Sequence, residues 1–177
     1  MRFTIVYRGR IAASGTVAQI AAIREDTYLQ SQLAGLYAVT SKQFNSNNRQ
    51  IVGDMRYTAV LPISWVCSIE IVLLRATPAA RISGLPDIDN TLKTLFDAIC
   101  APAGPSKPPS STVTKDLYVL AIEDKQFATV SVSADHHWAG SSDQDMAIIR
   151  VTTQETPIDD VVALGGQTFT SLRKHVH

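Results

Sequence analysis

The sequence is poor in cysteine and in long apolar runs, and each shortage excludes a class of protein. Its two cysteines, Cys67 and Cys100, are too few for a disulfide framework or a zinc site, and their apolar surroundings predict buried thiols. No run approaches the roughly 18 apolar residues of a membrane span, and the N-terminus MRFTIVYRGR lacks the apolar core of a signal peptide. We therefore expect a cytoplasmic protein with no membrane partner.

The chain also has no excess of either charge sign, because its formal net charge is zero. The distribution is uneven: residues 1–56 hold seven basic and three acidic side chains (+4), and the rest hold nine basic and thirteen acidic (−4). Phosphate binding usually needs a basic face, which is present here only locally. The candidate DNA-contacting side chains are Arg8, Arg10, Lys42 and Arg49. The last two lie in a polar stretch, 41–54, for which simple solvation is the alternative.

The length of 177 residues and the 45% hydrophobic content predict one globular domain over 1–156. The apolar periodicity indicates an α/β fold of the α+β type, with a mixed or antiparallel sheet and two main helices. The expected helices cover 16–37 and 86–100; the expected strands cover 2–7, 65–75, 117–122, 127–133 and 146–152. We expect strand 65–75 to be internal, and 127–133 to pair antiparallel with 146–152. A proline-rich inserted loop at 101–116 and a tail or short helix at 157–177 complete the chain.

The stretch Pro86–Cys100, PDIDNTLKTLFDAIC, is the most informative. Its apolar residues recur at helical spacing on one face: Leu92, Leu95, Phe96 and Ile99. Asp87 and Asp89 lie at the start of this helix, and Lys93 follows one turn after Asp89. One interpretation is an ordinary N-cap with an i, i+4 ion pair. The other is a cluster of oxygen ligands, completed by Asn90, that suits Mg²⁺.

A second acidic element, Glu123-Asp124, interrupts two apolar strand segments. Two buried unpaired carboxylates would be costly, so a turn at the sheet edge explains this pair on its own. The combination of Asp87-x-Asp89-Asn90-x-x-Lys93 at a helix start with a later acidic pair before a strand is more specific than either part.

These elements resemble the RusA family of Holliday-junction resolvases. That family has a Pro-Asp-x-Asp-Asn-x-x-Lys run opening a helix, then an acidic pair followed by a strand. Pro86, Asp87, Asp89, Asn90 and Lys93 match the first element. Glu123 and Asp124, with Gln126 two positions on, match the second.

The resemblance implies a homodimeric crossover junction endodeoxyribonuclease of DNA recombination and repair, which cleaves four-way DNA with Mg²⁺ or Mn²⁺. It implies that Asp87, Asp89 and Asp124 are the catalytic, metal-binding acids and that Lys93 assists at the phosphate. Asn90 and Glu123 are then supporting residues, of which Asn90 orients a ligand or caps the helix. Lys125 departs from the pattern, since an acidic or small polar residue is more usual there.

Two alternatives remain open. Asp87-Ile88-Asp89-Asn90-Thr91 also matches the nucleophile loop of haloacid-dehalogenase-type phosphohydrolases, although that fold needs an apolar parallel strand just before the motif and an alternating β/α pattern. The other alternative is a catalytically silent relative that binds DNA or a protein, because a fold does not guarantee an activity.

Overall fold

The structure, a computed structural model, describes residues 1–13, 15–44, 48–75, 88–104, 113–136, 144–155, 161–164 and 167–170. The fold is mixed α+β, as predicted. The helices are α1 (Val17–Arg24), α2 (Thr27–Phe44) and α3 (Ile88–Ile99); the strands are β1 (Arg2–Arg8), β2 (Arg49–Val52), β3 (Met55–Ala59), β4 (Trp65–Arg75), β5 (Lys115–Val119), β6 (Phe127–His136), β7 (Met146–Glu155), β8 (Val161–Leu164) and β9 (Gln167–Thr170). Within the described residues, no helix combines the length and apolar character that a membrane crossing needs.

The main sheet has the order β1-β7-β4-β6, with β4 parallel to β6 and the other two pairs antiparallel. The alternate residues Cys67, Ile69, Ile71 and Leu73 of β4 are all buried, so this strand is internal, as its pattern predicts. The predicted pairing of 127–133 with 146–152 is wrong, because β4 lies between β6 and β7 and bonds to both.

One strand of the second sheet, β2-β3-β5, lies where the sequence predicts a surface loop. Residues 41–54 were expected to be irregular, but α2 continues to Phe44 and β2 pairs with β3 across a tight turn. Gly53 supplies the positive φ of 66° that this turn requires.

The predicted helix 16–37 is two helices in the structure. Asp26 interrupts it, because its carboxylate accepts a hydrogen bond from the Leu29 N–H at 2.8 Å and its carbonyl accepts one from the Gln30 N–H at 2.9 Å. Both bonds satisfy free donors of the first turn of α2. A side chain that starts a new helix therefore overrides the continuous apolar stripe.

Two glutamines of α2 bond the outer edges of both sheets. Gln32 donates to the Val6 carbonyl and accepts from the Val6 N–H of β1, both at 2.8 Å. Gln30 does the same for Tyr118 of β5, at 2.8 and 2.9 Å. These amides satisfy edge groups that strand pairing leaves free, so α2 covers β1 and β5.

Helix α3 packs on the main core with the face that the sequence predicts. Leu95 and Ile99 are fully buried, and Leu92 and Phe96 pack against the same core cluster. Gly15 approaches this helix so closely that its N–H donates to Thr94 Oγ1 at 2.8 Å. Both cysteines are buried and free, as predicted.

Two boundaries differ from the sequence prediction. Strand β5 begins at Lys115, inside the predicted loop 101–116, and ends at Val119, because Leu120 and Ala121 leave it to bond the end of α3. Residues 105–112 of that loop lie outside the described residues. The segment expected to be a tail or short helix contains the hairpin β8–β9 instead.

Candidate active site

The first half of α3 carries three of the predicted site residues. Asp89 lies in the first turn and is exposed, where its carboxylate meets the positive end of the helix dipole. As the second helical residue, Asp89 is not the N-cap. Lys93 is exposed one turn later, and half-buried Asn90 accepts a bond from Thr94 Oγ1 through its carbonyl at 3.1 Å. Asp87 lies outside the described residues.

The acidic pair is held by Gln126, a buried residue with 6% exposure. Its amide donates to the Pro62 and Trp65 carbonyls at 2.8 and 3.1 Å and accepts from the Ile122 N–H at 3.0 Å. Asp124 begins the short 3₁₀ helix Asp124–Gln126, and it is exposed. The pair is thus a turn before β6, fixed to the start of β4 by one amide.

Backbone bonds bring this turn to the C-terminal end of α3. The Leu120 N–H donates to the Ile99 carbonyl at 2.7 Å, and the Ala101 N–H donates to the Ala121 carbonyl at 3.1 Å. Because residues 99–101 and 119–121 run side by side, Asp124 lies beside the last turn of α3.

Arg24 closes the C-terminal end of α3. Its guanidinium donates to the carbonyls of Ala98 at 3.2 Å and Cys100 at 3.3 Å, and also to that of Asp97. It lies over the Tyr57 ring, 5.5 Å from the centroid. The residue is buried, with 8% exposure, and its charge meets the negative end of the helix dipole.

A cavity of about 770 Å³ opens between α1, α3, the 101–104 segment and the acidic turn. Its lining includes four carboxylates: Glu25, Asp97, Glu123 and Asp124. Two of them are in ion pairs, Glu25 with Lys115 at 2.5 Å and Glu123 with Lys125 at 3.7 Å. The Lys125 ammonium thus partners Glu123, which leaves Asp97 and Asp124 as the carboxylates without a described cation.

The environment of the two buried thiols raises their pKa values. Burial, followed by the nearby charges of Asp124 and Asp97, raises the pKa of Cys100. Burial alone raises the pKa of Cys67 to about 12. Both thiols are therefore neutral at neutral pH.

Asp124 and Asp97 line the same cavity, whereas Asp89 is not among the residues that line it. At 1.5 Å per residue, the helix separates Asp89 from Asp97 by about 12 Å along its axis. Among the described residues, a set that excludes Asp87, no group of three or more His, Cys, Asp or Glu side chains is arranged to hold a metal ion. A shared ion at Asp87, Asp89 and Asp124 stays a prediction.

The candidate DNA-contacting side chains are all exposed and fall into two groups. Arg8 ends β1, with its guanidinium 5.8 Å from the centroid of the Tyr28 ring near the start of α2, and Arg10 follows it. Lys42 lies in the last turn of α2 and Arg49 begins β2. Along α2, about 21 Å separates the positions of Tyr28 and Lys42, so the candidates do not form one compact patch.

The sequence interpretation missed Arg24 and Asp97 as site residues. Arg24 falls on the apolar stripe of its helix, and a cation there must find partners inside the protein. Asp97 lies on the α3 surface and carries no comparable signal.

Comparison of the chain with protein-family profiles, with curated proteins and with solved structures finds no match.

Proposed function

We propose that this protein is a cytoplasmic, homodimeric endonuclease of the RusA type that cleaves branched DNA with Mg²⁺ or Mn²⁺. One observation carries the proposal: two acidic elements of the RusA pattern flank the same amphipathic helix, α3. The first opens the helix at Asp89, and the second is held beside its last turn by Gln126.

The proposal gives each residue a role. Asp87, Asp89 and Asp124 hold the ion, which when bound draws in a phosphate oxygen and lowers the pKa of a water. Lys93 stabilises the negative charge that develops on the phosphate. The start of α3 adds the positive end of its dipole, which favours an anion.

Two residues support the acids in this scheme. Asn90, in the first turn of α3, orients a ligand. Glu123 holds the Lys125 ammonium at 3.7 Å, which draws this cation toward Glu123 and limits how far it neutralises the ion site.

Asp89 and Asp124 lie near opposite ends of α3, which limits how they can bind one ion. Magnesium binds its ligands at about 2.1 Å, so Asp89 and Asp124 can share one ion only if ion or DNA binding brings the two elements together. DNA must also meet two separate basic groups, Arg8 with Arg10 and Lys42 with Arg49, which suits a branched substrate that presents more than one duplex arm.

A synthetic four-way junction tests the activity. We expect symmetric nicks that require Mg²⁺, and a loss of about 100-fold or more in Asp89→Asn and in Asp124→Asn. Asp116→Asn is the matched control, because this exposed carboxylate of β5 pairs with Arg56 of β3, and it should cleave like the unmodified protein. Cleavage that survives both site substitutions would refute the assignment.

The same separation of Asp89 from Asp124 favours one second candidate, a catalytically silent relative that binds DNA. That candidate predicts a junction complex in a gel-shift assay and no nicks with either ion. The phosphohydrolase alternative is disfavoured, because the main sheet has one parallel pair and two antiparallel pairs. Hydrolysis of p-nitrophenyl phosphate without DNA cleavage would restore it.

A further inference from the structure

The cavity between α1, α3 and the acidic turn has walls that are mainly apolar. Its apolar lining comes from several elements and includes Val17 and Ile20 of α1, Phe96 of α3, Tyr57 of β3, and Ile122 before the acidic turn. The volume of about 770 Å³ lies in the range of sites that enclose small organic molecules, and it far exceeds the space that one ion or one water needs. Such walls suit the hydrocarbon part of an organic ligand.

The charged side chains of this cavity leave an excess of negative charge. Four carboxylates and two cations line it. Both cations already have partners, because the Arg24 guanidinium donates to three carbonyls at the end of α3 and the Lys125 ammonium pairs with Glu123. Asp97 and Asp124 have no cation partner among the residues that the structure describes. A positively charged ligand therefore complements the cavity.

The lining favours an organic cation over a metal ion. A divalent ion needs several oxygen ligands around one point, but within the described part of the chain no three His, Cys, Asp or Glu side chains are grouped to hold one. An ammonium group needs only one carboxylate for each charge, and its hydrocarbon stem is stabilised by contact with apolar side chains. Two carboxylates in one apolar cavity thus match two ammonium groups joined by a hydrocarbon chain.

We propose that this cavity binds a small organic diammonium. Its charged ends pair with Asp97 and Asp124, and its methylene chain packs on the apolar side chains of the wall. The inference goes beyond the proposed nuclease and does not rest on it, because the amine is bound without metal or DNA. A protein that binds the amine and cleaves nothing would overturn the nuclease alone, and one that cleaves junctions without binding the amine would overturn this site alone.

Calorimetric titration with hexamethylenediamine, at low salt and without metal ions or DNA, tests the site. We expect saturable binding at about millimolar concentration or below, and an affinity about 10-fold lower in Asp97→Asn and in Asp124→Asn. Asp116→Asn is the matched control, because this carboxylate lies outside the cavity lining and pairs with Arg56, and its affinity should be unchanged. Hexamethylene glycol, which has the same chain without charge, should not bind.

A charge placed at Val17 tests the location without altering either carboxylate. Val17 lines the cavity and is 86% exposed, so its replacement should not disturb the core. We expect Val17→Lys to weaken amine binding by about two- to threefold and Val17→Glu to strengthen it by a similar factor. Val39→Lys and Val39→Glu are the matched controls, since Val39 is 59% exposed on α2 and outside the lining; both should bind like the unmodified protein.

Circular dichroism checks that each variant is folded before its affinity is compared. Three results would each overturn the proposal: no saturable binding of the diamine, equal binding of the glycol, or a Val17→Lys variant that binds as tightly as Val39→Lys. An Asp97→Asn variant with the affinity of Asp116→Asn would overturn it as well, because the second ammonium would then have no partner in the cavity.

Discussion

Replacement of Gln126 by methionine should weaken the fold and release the acidic turn. Methionine has a similar length, but it removes the amide that bonds the Pro62 and Trp65 carbonyls at 2.8 and 3.1 Å and the Ile122 N–H at 3.0 Å. Each such bond contributes about 1 kcal/mol net, and a buried group left unpaired costs about 1–3 kcal/mol. The Pro62 carbonyl keeps the Trp65 N–H at 3.0 Å, so the total loss should be about 2–3 kcal/mol.

Urea unfolding followed by circular dichroism measures this loss as a fall in the midpoint at unchanged slope. Gln43→Met is the matched control, because Gln43 is exposed on α2 and its replacement should change the unfolding free energy by less than about 0.5 kcal/mol. If Gln126→Met were as stable as this control, the amide would not hold the turn, and the fixed position of Asp124 would be refuted.

Two further predictions concern α3 and the thiols. Gly15→Ala should destabilise the folded protein by about 1–3 kcal/mol, because the added Cβ would lie 2.5 Å from Thr94 Cγ2. A second change, Thr94→Ser, should recover part of this loss. Gly35→Ala is the control: its Cβ would have no atom within 4 Å, so it should not destabilise the protein in the same urea assay. Burial raises the pKa of Cys67 to about 12 and that of Cys100 as well, so the native state favours the neutral thiols. The contribution of the neutral thiols to the free energy of unfolding is complete below pH 8.5, and above it this free energy falls by up to about 1.4 kcal/mol per pH unit for each thiol. Between pH 8 and 10 the urea midpoint should therefore fall less in Cys67→Ala than in the unmodified protein. An equal fall in both would contradict the assignment.

The elements that the sequence predicts best are those with a strong, local apolar pattern. Strand β4 alternates buried residues over most of its length, and α3 repeats them at helical spacing, so both follow from periodicity alone. The α1–α2 boundary does not, because a single carboxylate, Asp26, decides it. Strand β2 was also missed, since its register depends on the turn at Gly53 and on pairing with β3.

Long-range pairing explains the remaining differences. Strands β6 and β7 are neighbours in the chain, but β4 bonds to β6 along one edge and to β7 along the other, so it separates them in the sheet. For the site, the motif identifies Asp89 and Asp124 as candidates but not their spacing. That spacing depends on where β5 ends and on the bonds that tie Leu120 and Ala121 to the end of α3.

Ion binding tests the central claim most directly, because it requires Asp89 and Asp124 to act on one ion. Titration of the protein with Mn²⁺, followed by the electron paramagnetic resonance of the free ion, gives the affinity without any DNA. We expect Asp89→Asn and Asp124→Asn each to weaken binding, and Asp116→Asn to leave it unchanged. An Asp124→Asn variant that binds Mn²⁺ as tightly as the unmodified protein would exclude Asp124 from the ion site and contradict the account.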